Sequence, residues 1–403
     1  MTAVPKTKAA PLVFSKLAIF QFGKMSDNRK VVNPAEPKSP VAAMSRLPLP
    51  TEEEFITRLR RGEVTFPPLS LGWEKSKVKG IDGVVRMSWQ KKTFKFAAEC
   101  KRQSNAKAVK AAAEQARKQA QVEKLLPLVV VSYLDEQAID ALESRSVSGI
   151  DLCGNGVVVV PGEWYLRRTG NPNPFRAEGV IKNVYRKSSS VVARLFLTRP
   201  EFDSVQGALD ELGRRGGRVT LSTVSKVCKR LEDDLIIERK REGMTRLWLI
   251  QPEKLLDRLA ANYSPAGVKA RLTGKLRGIE PTEFRTQLRT WAEKTGGRVS
   301  LTGSSSVGAY AVMAREGAEE YYCTDVAGAL RALGDRFQPT ERFATVCLLE
   351  TRDEEVYFDR RDDLTASPVQ TFLELTSGDK RDQETADQVR RVILNALSPL
   401  AAR

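Results

Sequence analysis

The sequence contains no histidine among its 403 residues. Histidine is the usual general base near neutral pH and a common nitrogen ligand of protein-bound metals. Its absence excludes Ser-His-Asp and Cys-His catalysis, together with every metal site that requires imidazole. Carboxylate and lysine chemistry remains open, because the chain carries 50 acidic and 66 basic side chains.

Cysteine is scarce as well. The five cysteines stand far apart and form no CxxC pair, which argues against thiolate zinc sites and fits a reducing cytoplasm.

An apolar stretch at residues 11–22 is interrupted by Lys16 and is too short to span a bilayer. It also lacks a small-residue cleavage site, so we expect neither a membrane helix nor a signal peptide. The predicted location is the cytoplasm, with no membrane partner.

Positive charge dominates the chain but is unevenly spread. The net charge is +16 overall, +6 in residues 1–50, +6 in residues 181–250 and −6 in residues 311–403. A protein that binds a polyanion concentrates basic side chains in this way. The length predicts two to four domains, and a hydrophobic content of 41% is ample for packed cores.

The second basic region contains a recognisable pattern at residues 222–250. Ser222 and Thr223 are residue types that cap helix N-termini, and the apolar residues that follow recur every three to four positions. Two strand-like runs come next, at 235–237 and 247–250, with Gly243 in the turn between them. A helix followed by a two-stranded wing is the second half of a winged helix-turn-helix, and residues 204–212 predict the preceding helix.

The outer side chains of this helix and wing are of types that meet DNA phosphates and base edges. A solvated helix surface and a winged helix that binds protein are alternative interpretations of the same pattern. The predicted DNA-binding residues are Ser222, Thr223, Ser225, Lys226, Lys229, Arg230, Arg239, Lys240, Arg241 and Arg246.

Residues 51–170 alternate strand-like and helix-like segments, which predicts an α/β sheet. Asp82 precedes one strand, and Glu99-Cys100-Lys101 ends the next. These residues resemble the PD-(D/E)xK restriction-endonuclease-like fold. The resemblance implies Mg²⁺ held by Asp82 and Glu99, Lys101 assisting the attacking water, and Gln115 matching a glutamine that some members keep. Many members of this fold bind without cutting, and a solvated Glu99–Lys101 pair is the simpler alternative.

Residues 277–403 mix helices and strands without strict alternation, which predicts an α+β domain. Residues 303–306 form a Gly-Ser loop between a strand and a predicted helix at 307–314, an arrangement that can hold phosphate. No D-x-D or D-x-E pair follows the loop soon afterwards, as a nucleotidyltransferase would require. An ordinary strand–turn–helix is therefore the favoured interpretation.

The segments TVSKVCKRLEDDLI, VSLTGSSSVGAYAV and ASPVQTFLEL, followed by a helix at 384–395, together resemble the AbiEi-type antitoxins and transcriptional regulators of type IV toxin–antitoxin systems. The resemblance covers about residues 200–400. It implies a winged helix that binds promoter DNA and represses its own operon, with a C-terminal domain that contributes to antitoxin action. An extra nuclease-like domain in front departs from that pattern.

The sequence thus predicts a multidomain α/β and α+β protein that binds DNA as a regulator. A Mg²⁺-dependent endonuclease targeted by the winged helix is the alternative, and a protein-interaction scaffold is the third hypothesis. No cofactor is expected unless the protein is a nuclease. The expected partner is double-stranded DNA, with a toxin protein and a second copy of the chain as further candidates.

The predicted segments are a disordered basic arm (1–50), the nuclease-like domain (51–170), a linker (171–198), the winged helix (199–265) and the C-terminal domain (277–403).

Overall fold

The structure is a computed structural model that describes residues 47–75, 82–175, 183–240, 246–312 and 317–401. The predicted basic arm lies almost entirely outside these residues, and so does Arg241. The chain divides into two compact units, residues 1–176 and 177–403. Both mix helices and strands, so the predicted mixed α/β class is confirmed.

Unit 1 is built on one sheet whose strands follow the order β1-β2-β3-β4-β5-β6-β7. β3, β4 and β5 run parallel, while every other neighbouring pair is antiparallel. Helices α2 and α3 connect the parallel strands. The elements are α1 (Glu52–Arg60), β1 (Ser70–Glu74), β2 (Gly83–Trp89), β3 (Lys92–Lys101), α2 (Ala106–Glu123), β4 (Leu126–Val131), α3 (Glu136–Glu143), β5 (Ser148–Asp151), β6 (Gly156–Val160) and β7 (Trp164–Arg168).

Apolar side chains cover both faces of the parallel strands. On one face, Phe96 and Leu128 pack with Phe55 of α1. On the other, Val129 packs against the alanine-rich stripe of α2. Small alanines allow this helix to approach the sheet closely. The continuous apolar run of β4 is therefore buried on both sides, as a strand in the middle of a parallel sheet requires.

Unit 2 begins with helical elements and continues through two separate sheets. The smaller sheet has the order β8-β10-β9, and the larger has the order β12-β13-β15-β11-β14. The elements are α4 (Ser190–Phe196), β8 (Glu201–Phe202), α5 (Val205–Arg214), α6 (Leu221–Asp233), β9 (Ile237–Lys240), β10 (Arg246–Leu249), α7 (Pro252–Ala261), β11 (Ala270–Leu276), α8 (Pro281–Thr295), β12 (Val299–Leu301), β13 (Glu319–Cys323), α9 (Val326–Leu333), β14 (Phe337–Pro339), β15 (Val346–Glu350), α10 (Pro368–Thr376) and α11 (Lys380–Ala401).

Unit 2 has two halves, the elements α4 to α7 (residues 183–261) and the elements β11 to α11 (residues 270–401). One apolar core joins them. It contains Val224 and Leu231 of α6 together with Phe372 of α10 and Val389 of α11. Helix α4 contributes to the same core, and all of its residues are buried. The segment 171–198, predicted as a linker, therefore includes a helix that belongs to the interior of unit 2.

Several boundaries differ from the sequence-based expectation for local reasons. Leu235 has a φ of +58°, so β9 starts at Ile237 and not at residue 235. The helix predicted at 307–314 is a 3-10 helix, Ser304–Ala309. A second short run, Glu354–Tyr357, is also a 3-10 helix. Short apolar runs do not distinguish these structures by periodicity alone.

Candidate nucleic-acid interface and a carboxylate-lysine cluster

Helix α6 is fixed by a cap at one end and by an apolar stripe along one side. The Thr220 hydroxyl accepts the N–H of Thr223 at 3.3 Å, so Thr220 is the N-cap and the prediction of Ser222 or Thr223 was two to three residues late. Val224, Val227, Cys228 and Leu231 are buried. This spacing leaves the opposite side of the helix in solvent.

That opposite side, which we call the α6 face, consists of Ser222, Ser225, Lys226 and Lys229, all of them exposed. Within the described residues, Lys226 and Lys229 make no ion pair. Two other predicted residues do not belong to the face. Thr223 is half-buried and its hydroxyl lies 3.0 Å from that of Thr220, whereas the exposed Arg230 donates from Nε to Asp234 at 3.0 Å.

The hairpin β9–β10 presents only part of its predicted basic set. Lys240 is exposed, with its Nζ 5.4 Å from the centre of the Trp248 ring. Arg246 is exposed and pairs with Glu201 of β8. Arg239 points inward instead: its side chain is 14% exposed, and its Nε lies 3.9 Å from Glu232 of α6. Arg239 therefore connects the hairpin to α6 and does not extend the exposed surface.

The turn between α5 and α6 is held by the second half of unit 2. Arg215 donates to Asp359 at 2.6 Å, and Asp359 returns its N–H to the Arg215 carbonyl at 3.0 Å. Arg298 donates to the carbonyl of Gly216. Burial raises the pKa of Asp359, against the lowering effect of Arg215. The position of α6 thus depends on Arg298 and Asp359, whose bonds to this turn span 82 and 144 positions of the chain.

In unit 1 the structure brings together three of the four residues of the predicted nuclease site. The Asp82 carboxylate accepts the N–H of Cys100 at 2.8 Å, beside Glu99. Glu99 is 1% exposed, and its Oε1 lies 2.7 Å from Nζ of Lys101. Gly83 is registered opposite Ala98, so Asp82 and Glu99 flank the next rung of the same antiparallel pair. We call Asp82, Glu99 and Lys101 the Asp82 cluster.

The donor set of the Asp82 cluster fits a magnesium ion. Mg²⁺ binds through one or two carboxylates and keeps several waters, and the cluster offers an exposed carboxylate beside a buried one. Among the described residues, no group of three or more Asp, Glu, Cys or His side chains forms a larger metal site. Gln115 does not join the cluster: it is exposed on α2, outside the stripe that packs on the sheet.

A second carboxylate at the same edge of the sheet has a structural role that the sequence reasoning missed. Asp151 ends β5 and is fully buried. It accepts the amide hydrogens of Cys153, Asn155 and Leu134, each at 2.8 Å, and the side-chain amide of Asn155 at 2.9 Å. Burial raises its pKa, against these hydrogen bonds. The only sequence signal was an aspartate before the Gly-Asn-Gly turn.

The Gly-Ser loop at 303–306 has internal partners and no phosphate cradle. The N–H of Ser304 donates to the carboxylate of the half-buried Glu374 at 3.1 Å. The Ser306 hydroxyl accepts the N–H of Ala366 at 2.9 Å. A Cβ on Gly303 would lie 2.8 Å from the Gln370 carbonyl, because α10 packs directly on the loop. The favoured interpretation as an ordinary turn agrees with this packing.

Comparison with known proteins adds no relative: no family model, no curated protein and no solved structure matches the chain. In the part of the chain that the structure describes, no helix is both long and apolar enough to cross a membrane.

Proposed function

We propose that this protein binds double-stranded DNA through the α6 face and the β9–β10 hairpin, and that it acts as a transcriptional regulator. The α6 face carries the proposal. Its two lysines have no internal ion-pair partner within the described residues, and small hydroxyl side chains surround them. Such a surface suits the major groove, where serine contacts base edges and lysine contacts phosphates or guanine.

The order of elements supports a winged helix as the scaffold of this surface. Helix α4, strand β8, helices α5 and α6 and strands β9 and β10 follow one another in the chain, and β8 pairs with β10 at the side away from β9. In this arrangement α6 is the reading helix and the β9–β10 hairpin is the wing. Lys240 and Arg246 would then contact the phosphate backbone beside the groove.

The regulatory part of the proposal comes from the sequence resemblance to AbiEi-type antitoxins. A DNA-binding regulator of that kind represses its own operon, and the toxin it counteracts would be a protein partner. The extra unit in front contributes binding without cleavage in this proposal. A second copy of the chain would allow recognition of a two-fold symmetric site.

The test is duplex binding by fluorescence anisotropy as a function of salt. For the wild type, affinity should fall linearly on a log–log plot against salt concentration. In the double variant Lys226→Ala/Lys229→Ala, the slope should decrease by about 2, since each phosphate contact contributes about 0.9. Lys294→Ala, an exposed lysine on α8, is the matched control and should leave the slope unchanged. An unchanged slope in the double variant would refute the α6 face as the binding surface.

A second candidate function, a Mg²⁺-dependent DNA endonuclease, is favoured by the convergence of the Asp82 cluster. Asp82 and Glu99 would hold the ion, and Lys101 would orient or activate a water. The ion, when bound, would neutralise charge on the attacking and leaving oxygens of a phosphodiester.

A scaffold that binds only protein remains the third hypothesis. DNA binding that is unchanged by substitutions in the α6 face and in the Asp82 cluster would favour it.

Incubation with supercoiled plasmid, with and without Mg²⁺ or Mn²⁺, separates the two DNA-directed functions. Nicking that requires metal and disappears in both Glu99→Gln and Lys101→Ala would establish the nuclease. Retarded but intact plasmid, with retardation that weakens as salt rises, would agree with the regulator. Glu136→Gln, an exposed acid of α3, controls for charge removal elsewhere in unit 1.

A further inference from the structure

Leu221, the first residue of α6, is exposed at the surface. Its relative exposure is 45%, whereas the other apolar side chains of the helix, Val224, Val227, Cys228 and Leu231, are all at 0%. The helix thus buries every apolar side chain except the one at its N-terminal end. That end is the part of a reading helix that contacts base edges in helix-turn-helix proteins.

The position of Leu221 on the helix places it beside the rest of the proposed reading surface. Ser222 is adjacent in sequence, and Ser225 lies one turn further on the same side. Glu232, eleven residues on, shares this side and approaches Arg239 of β9. Leu221 therefore lies on the same side of α6 as Ser225 and Glu232, at the edge of the α6 face.

The major groove presents one apolar group on base edges, the 5-methyl of thymine, and apolar side chains recognise it. We propose that Leu221 contacts the 5-methyl group of a thymine and is a specificity-determining residue of this protein. The inference rests on the proposed function, because it requires α6 to enter the groove. It adds the chemical identity of one base that the helix reads.

The experiment starts from a duplex enriched by repeated in vitro selection on the full-length protein. Each thymine of the selected site is then replaced in turn by deoxyuridine, which lacks only the methyl group. In the wild type, at least one replacement should weaken binding about fourfold, the value of one buried methyl group. In Leu221→Ala, the same replacement should change affinity by less than about 1.5-fold, because the contact is already lost.

Controls separate this inference from the proposed function. Ile250→Ala removes another exposed apolar side chain, at the end of the hairpin remote from its tip, and should keep the wild-type sensitivity to deoxyuridine. A thymine effect that persists in Leu221→Ala, or that is absent from the wild type, would overturn the role of Leu221 while leaving DNA binding intact. Failure of the wild type to select any duplex would overturn both.

Discussion

Gly83, directly after Asp82, is required by the packing of a tryptophan. A Cβ at this position would lie 1.9 Å from the ring of Trp73, which covers the strand from β1. Trp73 belongs to the side chains that pack against the apolar core on the α1 side of the sheet. The glycine therefore leaves room for the Trp73 ring over β2, beside the Asp82 cluster.

Gly83→Ala should lower the free energy of unfolding of unit 1 by about 1–3 kcal/mol, because the Trp73 ring has to move out of a packed core. Urea denaturation followed by tryptophan fluorescence measures the change. Gly72→Ala is the matched control on the neighbouring strand, where the nearest atom to the added Cβ lies at 3.5 Å. Equal effects of the two substitutions would contradict the packing argument.

Glu374 is a half-buried residue of α10, and the ionisation of its carboxyl should influence stability. Gln370 donates to it at 2.7 Å and Ser304 at 3.1 Å. Burial raises the pKa of Glu374, against the lowering effect of these hydrogen bonds. The folded protein therefore holds this proton more tightly than the unfolded chain does. The resulting contribution to stability is complete below the ordinary carboxyl pKa and is lost as pH rises through the raised folded pKa.

The free energy of unfolding of the wild type, relative to Glu374→Gln, should therefore decrease as pH rises above about 4.5. The limiting slope is about 1.4 kcal/mol per pH unit for one proton. Urea titrations at a series of pH values give this difference directly. Glu384→Gln, an exposed residue of α11, should show a flat difference. A difference that increases with pH would mean that the Glu374 pKa is lowered by folding.

At the level of elements, the α5–α6 turn shows how a segment distant in sequence positions helix α6. Arg215 pairs with both Glu211 of α5 and Asp359, at 2.7 and 2.6 Å. Phe358 lies within 3.3 Å of the position of a Cβ on Gly217. These contacts fix the segment that enters α6, although none of them involves the α6 face.

Asp359→Asn should weaken DNA binding roughly tenfold by loosening this turn, since removal of one partner from a half-buried ion pair costs about 1–3 kcal/mol. The slope of affinity against salt should stay at the wild-type value, because no phosphate contact is removed. This combination distinguishes a positioning residue from Lys226 and Lys229. Asp335→Asn makes the same charge change at an exposed site. A reduced slope in Asp359→Asn would show that the substitution disturbs the contacts themselves.

At the scale of the whole molecule, the two halves of unit 2 share one apolar core and a set of buried hydrogen bonds. Arg194 of α4 is buried and donates to Gln370 of α10 at 2.7 Å. Gln370 in turn donates to Glu374, so a series of side-chain hydrogen bonds lies beside the shared apolar core. Removal of one half would expose apolar surface on the other and leave buried charges without partners.

A fragment of residues 183–401 should therefore unfold in one cooperative transition and retain DNA binding. A fragment of residues 199–265 should lack a cooperative transition, although it contains every residue of the α6 face. Circular dichroism during thermal unfolding distinguishes them. Cooperative folding of the shorter fragment would contradict the shared core. Full-length protein provides the reference for both.

The sequence by itself determined the mixed α/β class and named the three residues of the Asp82 cluster, together with Gln115, which does not join it. Helix α1 begins after Thr51, because the capping box is formed by Thr51 and Glu54, three residues apart. Asp82, Glu99 and Lys101 converge because strand alternation and antiparallel pairing are short-range properties. Gln115 does not lie with the cluster. Its position along the turns of α2 places it outside the buried stripe that packs on the sheet.

Only the tertiary structure decided which basic side chains remain exposed and which contacts hold α6 in place. Arg239 and Lys240 are neighbours with the same charge, yet one packs beneath α6 and the other faces solvent. The pairing of Arg215 with Asp359 joins positions 144 residues apart. Local periodicity carries no information about such partners, because they are selected by the packing of the whole unit and not by neighbours along the chain.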